Sequence, residues 1–265
     1  MKPLFQGQVV LITGSSQGIG KSLAVHLGER GASIGLNGRD QEKLRKTHDE
    51  LNSMGIDNLM LPGDVTDYQT CEKIIAGIID KYGKLNAVVA NGSMMVESSI
   101  EAIKPEVFSL AIDSQILGAV YPVKAALPEL IKSKGYILLV SSLASFYGLP
   151  RFSAYSMGKA AHTRFAQSLR FEMSGSGIDI GVAYVCFTKN EPHKQMMLPD
   201  GSLSYLPKRP SRMQYPREKV ASCMASMLMK RKKKKIISFY GKAYETASRL
   251  FPVILRTFVK RSLPI

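Results

Sequence analysis

Short apolar runs alternate along this chain with amphipathic stretches long enough to form helices. Residues 9–13 read as a strand and residues 19–30 as the helix that follows it. Further strands are expected at 33–37, 58–62, 87–90, 136–141 and 178–185, with helices at 41–54, 68–81, 105–131 and 154–173, and a last short strand at 235–239. Parallel strands need crossover connections, and helices between successive strands supply them on both faces of a sheet. The pattern therefore predicts an α/β fold with a doubly wound, Rossmann-type parallel sheet whose ligands gather at the carboxyl ends of the strands. Residues 187–215 break the rhythm with Pro, Lys, Ser and Met and read as a lid. The expected organisation is one domain over 1–240, including that lid, and a basic tail over 241–265.

Composition narrows the class. Hydrophobic residues make up 45% of the 265 and charged residues 22%, which suits a packed globular core rather than a disordered chain. Cys71, Cys186 and Cys223 are scattered and odd in number, so neither a disulfide framework nor a zinc site is expected, and a reducing, cytoplasmic compartment fits best. With the first apolar strand so near Met1 no secretory leader is expected, and no apolar run reaches membrane-spanning length. The formal charge of +15, densest over Lys230–Lys235, favours anionic partners such as phosphorylated cofactors or acidic lipid, or else serves as a solvated basic face.

Chemistry enters after the first strand, where Thr13-Gly14-Ser15-Ser16-Gln17-Gly18-Ile19-Gly20 joins strand to helix. Its glycines let backbone approach a pyrophosphate while the helix offers free N–H groups and its positive dipole end. Further on, Tyr155 and Lys159 stand at i and i+4 of a predicted helix, where both can face one substrate. A phenol titrates near ~10, and a neighbouring ammonium favours its phenolate, which makes the pair competent for proton transfer.

Thr-Gly-x-x-x-Gly-x-Gly at Thr13–Gly20, with Tyr155-x-x-x-Lys159, resembles the short-chain dehydrogenase/reductase family, and the likeness covers roughly residues 7–241. It implies a nicotinamide cofactor held by Gly14, Ser16, Gln17, Gly18, Ile19 and Gly20. Gly38-Arg39 stands where an NAD-preferring member carries an acid. Arg39 can instead fork onto a 2′-phosphate, so NADP(H) is favoured over NAD(H), unless Asp40 neutralises it. Asp64 and Val65 correspond to the adenine-edge contact, with a helix N-cap region as the competing reading. Ala90-Asn91-Gly92-Ser93 replaces the usual Asn-Asn-Ala-Gly and keeps one asparagine for cofactor support.

The resemblance also implies a catalytic group. Ser142 would bind the substrate oxygen, Ser141 would be structural, Tyr155 would transfer the proton, and Lys159 would assist it and bind the nicotinamide ribose. Gln115 takes the place of the family's asparagine, and its extra methylene would shift a water-mediated proton path to Lys159. Thr188, in an altered Cys186–Pro192 stretch, would contact the nicotinamide amide. The implied reaction is reversible reduction of a ketone to a secondary alcohol.

The Met196–Pro207 region suits a lipophilic or long-chain substrate, although methionine clusters also serve plain packing. A 3-oxoacyl thioester is the alternative substrate, with Lys189, Lys194, Lys208 and Arg209 as cues for an acidic carrier. A non-catalytic dinucleotide sensor is the third reading. The tail, with Leu250, Phe251, Val253, Ile254, Leu255, Phe258 and Val259 among Arg249, Arg256, Lys260 and Arg261, reads as a basic amphipathic helix started or kinked by Pro252. It would lie on an anionic membrane, pack on the protein or join an oligomer. Family members commonly form dimers or tetramers through their long helices. His26, His48, His162 and His193 form no metal constellation, and neither a metal nor a nucleic-acid partner is expected.

Overall fold

The computed structural model describes residues 4–189, 191, 194–206 and 214–262. In chain order these form β1 (Val9–Ile12), α1 (Gly18–Gly28), β2 (Ser33–Gly38), α2 (Gln41–Ser53), β3 (Asn58–Pro62), α3 (Tyr68–Tyr82), β4 (Ala87–Ala90), α4 (Pro105–Ser133) and β5 (Tyr136–Ser142). A 3-10 turn at Leu143–Ser145 leads to α5 (Ser153–Glu172), β6 (Asp179–Val185), β7 (Gln195–Met197), β8 (Leu203–Tyr205), α6 (Arg217–Met229), β9 (Lys234–Ile236), α7 (Phe239–Leu250) and α8 (Pro252–Ser262).

Among the described residues, seven strands form one sheet in the order β3-β2-β1-β4-β5-β6-β9, all parallel. The reversal of order between β1 and β4 opens a crevice at their carboxyl ends, where a doubly wound sheet binds its ligand. Side chains alternate across the pleat. Val10, Ile12, Leu138 and Val140 pack with α1, α2 and α6 on one face; Val9, Leu11, Ile137 and Leu139 pack with α3, α4 and α5 on the other. Both layers exclude water, so the strands read as near-continuous apolar runs.

Three sequence expectations are corrected. The last strand spans Lys234–Ile236 rather than 235–239, because Ser238 caps α7 by accepting from Gly241 N at 2.9 Å and Phe239 opens that helix. The lid carries sheet of its own: β7 and β8 pair antiparallel around Asp200-Gly201, where Gly201 has φ +94°. α6 was not anticipated at all, yet Val220, Ala221 and Met224 are fully buried beside α1.

The tail is two helices broken at Phe251-Pro252, where proline cannot continue the preceding ladder. Leu255 and Val259 are buried while Val253, Ile254 and Phe258 face outward. Gly241 lets α7 seat closely: a Cβ there would lie 2.7 Å from Ile236 Cγ2 and 2.8 Å from Leu143 Cδ2.

Candidate active site

The glycine-rich turn is held from below by β4. Thr13, fully buried, accepts at Oγ1 from Asn91 N and Gly92 N, each at 3.0 Å. Asn91 Nδ2 in turn donates to the carbonyls of Thr13 and Gly14 at 3.0 and 3.1 Å. A Cβ on Gly14, which has φ +62°, would come within 2.6 Å of Gly92 Cα, and one on Gly20 within 2.4 Å of the Gly14 carbonyl. Close backbone approach thus accounts for Gly14 and Gly20, while a Cβ on Gly92 would come no nearer than 3.3 Å to Gly14 N. Nothing stands within 4 Å of where a Gly18 side chain would be, so a ligand can lie directly on that peptide.

Ser15 and Asn37 lock this turn to β2: Ser15 N donates to Asn37 O at 2.8 Å, and Asn37 N donates to Ser15 Oγ at 2.9 Å. The carbonyl of Ser16 accepts from Thr47 Oγ1 at 2.9 Å. Gln17 is the N-cap of α1, and Ile19 packs partly into the core. The resulting helix end leaves N–H groups and the positive dipole end directed at the crevice.

Arg39 pairs with Asp64, Nη1 to Oδ2 at 3.4 Å, and not with Asp40, whose carboxylate caps α2 through Lys43 N and meets Lys43 Nζ at 3.0 Å. Asp64 also accepts from Thr66 N and Thr66 Oγ1, while the N-cap of α3 is Asp67 rather than Asp64. Val65 follows in the same turn, its carbonyl facing Cys71 Sγ.

Four elements converge at the other end of the crevice. β5 ends on Ser142, whose Oγ accepts from Ala144 N at 3.3 Å. Ser141 Oγ is instead spent on the carbonyl of Lys159 at 2.8 Å, fixing α5 to β5. Half-buried Tyr155 and fully buried Lys159 lie one turn apart on α5, with Lys159 Nζ 5.7 Å from the centre of the Tyr155 ring. The ammonium donates to Val140 O at 3.0 Å. Burial, with Lys194 adding positive charge, brings its pKa down to about 7.

Gln115 on α4 crosses Gly158 on α5, where a Cβ would meet Gln115 Cβ at 2.2 Å. Its Nε2 donates to Met94 O at 2.5 Å, and its buried Oε1 has no hydrogen-bond partner among the described residues. His162 Nε2 meets the Gln115 carbonyl at 2.7 Å, and burial pushes that imidazole down to about 3, so it is neutral in the working range. Sequence reasoning left His162 as surface or core filler; it is part of the wall behind Lys159. Thr188, just past β6, donates from Oγ1 to Cys186 O at 3.0 Å.

Beyond these lies an apolar patch of Val96, Val107, Ala111 and Ala154, joined by Met94 and by Met197 from β7, whose N–H donates to Met95 O at 3.2 Å. Lys208, Arg209 and His193 fall outside the described residues. The spacing of motifs also missed Glu191 and Arg217. Glu191 accepts from Gly18 N at 3.3 Å and is ion-paired with Arg217, across 173 residues of sequence from the glycine turn.

Residues 8–197 match the short chain dehydrogenase family. An 11-beta-hydroxysteroid dehydrogenase A from Sesamum indicum is 34% identical over 181 residues, covering 68% of this chain and 51% of that protein. An uncharacterized oxidoreductase from Thermotoga maritima is 33% identical over 188 residues, covering 71% and 74%. The chain spans about half the length of the hydroxysteroid dehydrogenases it matches. Among solved structures, a Burkholderia phymatum short chain dehydrogenase/reductase in complex with NAD has TM-score 0.79 at 16% identity, covering 96% and 95%. A metagenomic short-chain oxidoreductase in complex with NADP has TM-score 0.73 at 20%, covering 88% and 97%. Sequence match and crevice agree, and the chain belongs to the short-chain dehydrogenase family.

Proposed function

We propose that this chain is an NADP(H)-preferring oxidoreductase that interconverts a lipophilic or long-chain ketone and its secondary alcohol. The observation that carries the reading is the buried Lys159 ammonium one helical turn from Tyr155, at the opposite end of one crevice from a glycine turn whose Gly18 faces open space. The cradle fits a dinucleotide pyrophosphate through the Gly18–Gly20 end of α1, with Gly14, Ser16, Gln17 and Ile19 shaping the turn and Asn91 and Gly92 bracing it. Asp64 and Val65 would take the adenine edge and Thr188 the nicotinamide amide.

The preference for NADP(H) rests on Arg39. Its bond to Asp64 is a surface pair, both side chains more than two-fifths exposed, and such pairs contribute ~1 kcal/mol or less. A doubly charged 2′-phosphate displaces so weak a partner readily.

The bound nicotinamide supplies a hydride to the carbonyl carbon in the reducing direction. As the C=O π bond breaks, the oxygen takes the Tyr155 Oη proton. Ser142, its oxygen already accepting from Ala144 N, has its own O–H to donate to the same substrate oxygen. Lys159 favours the Tyr155 phenolate while charged, and its low pKa lets it pass its proton on near neutrality. A relay reaching Lys159 past Gln115 uses the orphaned Gln115 Oε1 as acceptor. The oxidising direction reverses each of these steps.

Met94, Val96 and Met197 supply the apolar wall that favours a lipophilic substrate, and several relatives bear the name of hydroxysteroid dehydrogenases. The tail supports peripheral contact with anionic membrane. Phe251, Val253, Ile254 and Phe258 are exposed, and between Lys230 and Ser262 eleven lysines and arginines stand against one acid, Glu245. Exposed Leu110 on α4 and Phe171 on α5, the latter 84% exposed, suit burial against a second copy. We assign 1–240 to the catalytic domain with its 187–215 lid, and 241–265 to the tail.

The deciding experiment is turnover with NADPH against NADH on lipophilic ketones and 3-oxoacyl thioesters, with Tyr155→Phe as control. NADPH-dependent reduction of lipophilic ketones that falls about a thousandfold in the variant is expected. Turnover confined to carrier-bound thioesters would move the substrate class. Binding of neither nucleotide would end the reading.

A further inference from the structure

The anion seat of the glycine turn already holds an anion. Glu191 Oε1 accepts from Gly18 N at 3.3 Å, where α1 begins and its dipole favours negative charge. The same oxygen is ion-paired with Arg217 Nη1, and both side chains are less than a third exposed. Arg217 is the first residue of α6, a helix whose Val220, Ala221 and Met224 are buried beside α1. Core packing therefore holds the start of α6 beside α1, with the Arg217 guanidinium meeting the turn through Glu191, which comes from the stretch after β6.

We propose that Arg217 is a ligand for the cofactor's phosphates and that Glu191 is a tethered competitor for the same donors. A carboxylate and a phosphate edge each present oxygens that accept from an N–H and a guanidinium together. They cannot share the seat, because two anions there would repel while the supply of donors stays the same. Dinucleotide binding therefore lifts the Glu191 carboxylate off Gly18 N–H, and a phosphate oxygen takes its place on Arg217. This inference rests on the dinucleotide reading of the turn.

The test is equilibrium titration of the full chain with NADPH and NADH, followed by nicotinamide fluorescence, so that no turnover is needed. Glu191→Gln keeps the side chain's size and removes its charge; it is expected to tighten NADPH about tenfold, as when the competent state is a tenth populated in the parent protein. Arg217→Gln should weaken binding by about tenfold or more, with Arg217→Lys recovering part of the loss. Thermal unfolding of each variant separates misfolding from lost affinity, and Arg217→Lys keeps the test informative if Arg217→Gln does not fold.

An affinity unchanged within about twofold, or weakened, in Glu191→Gln would overturn the competitor role. Unchanged affinity in folded Arg217→Gln would overturn the ligand role, with the dinucleotide reading intact because the parent protein still binds. A parent that binds neither nucleotide while Glu191→Gln binds one would support the competitor in its strongest form. Failure of parent and variants alike would remove the dinucleotide reading and this inference with it.

Discussion

Lys159 holds a charge where water cannot solvate it, with the Val140 carbonyl as its hydrogen-bond acceptor and Lys194 adding to the repulsion. Its pKa is lowered from 10.5 to about 7, so the unfolded chain binds the extra proton between those values. The ammonium's burial cost is fully present below pH 7 and is relieved as pH rises from about 7 towards 10.5. Lys159→Met should therefore raise the unfolding midpoint of the cofactor-free protein at pH 6, by about 2–4 °C per kcal/mol relieved, with the gain fading towards pH 10 as turnover stays lost. Scanning calorimetry across that range checks it; a gain that does not change with pH would point to packing instead of charge.

Gly158→Ala should cost about 1–3 kcal/mol, because its Cβ would land on Gln115 Cβ. Gln115→Gly in the same chain, which removes that Cβ, should return part of the cost, a coupling that denaturant midpoints of the four proteins would measure. The Tyr155 and Lys159 pairing was legible because helical periodicity is local. Gly158 clearing Gln115, and Glu191 reaching Gly18, depend on side chains brought together by the fold, and no spacing along the chain encodes them.

At the level of elements, the strands were readable because burial on both faces demands unbroken apolar runs, as in Val9–Ile12 and residues 136–140. Helix α6 escaped although Val220, Met224 and Leu228 lie at four-residue spacing. Cys223, Met227 and Met229 fill the intervening positions and blur the stripe. The β7–β8 hairpin escaped for a different reason: its strands are three residues each, and its one strong signal, Asp200-Gly201, sits among prolines and lysines that suggest irregular chain. Met224→Ala should cost about 2–5 kcal/mol, since the side chain is wholly enclosed by the layer containing α1 and α6, and urea unfolding would register it. A loss under about 0.5 kcal/mol would mean that α6 is loosely held.

Across the described residues, positive charge gathers on the same C-terminal segment that exposes Phe239, Phe251, Val253, Ile254 and Phe258. Among the described residues no helix is long and apolar enough to cross a membrane. The chain should co-sediment with phosphatidylserine-containing vesicles and not with phosphatidylcholine alone. Half-molar salt should release most of it, and Phe258→Asp should weaken binding about tenfold or more. Equal binding to both vesicle types, or none, would return the tail to a protein-facing role. The sequence reading anticipated a basic amphipathic segment started or kinked at Pro252, and the structure takes the first alternative, with α8 beginning there after α7 ends at Leu250.

The seat of Gly241 on Leu143 joins that surface to the turn directly after Ser142. There is no room for even a methyl group between them, so a displacement of α7 bears directly on this turn. On the proposed role of Ser142, a partner that draws α7 outward would change how tightly the substrate oxygen is held, and by reciprocity a bound substrate would change the grip on that partner by the same factor.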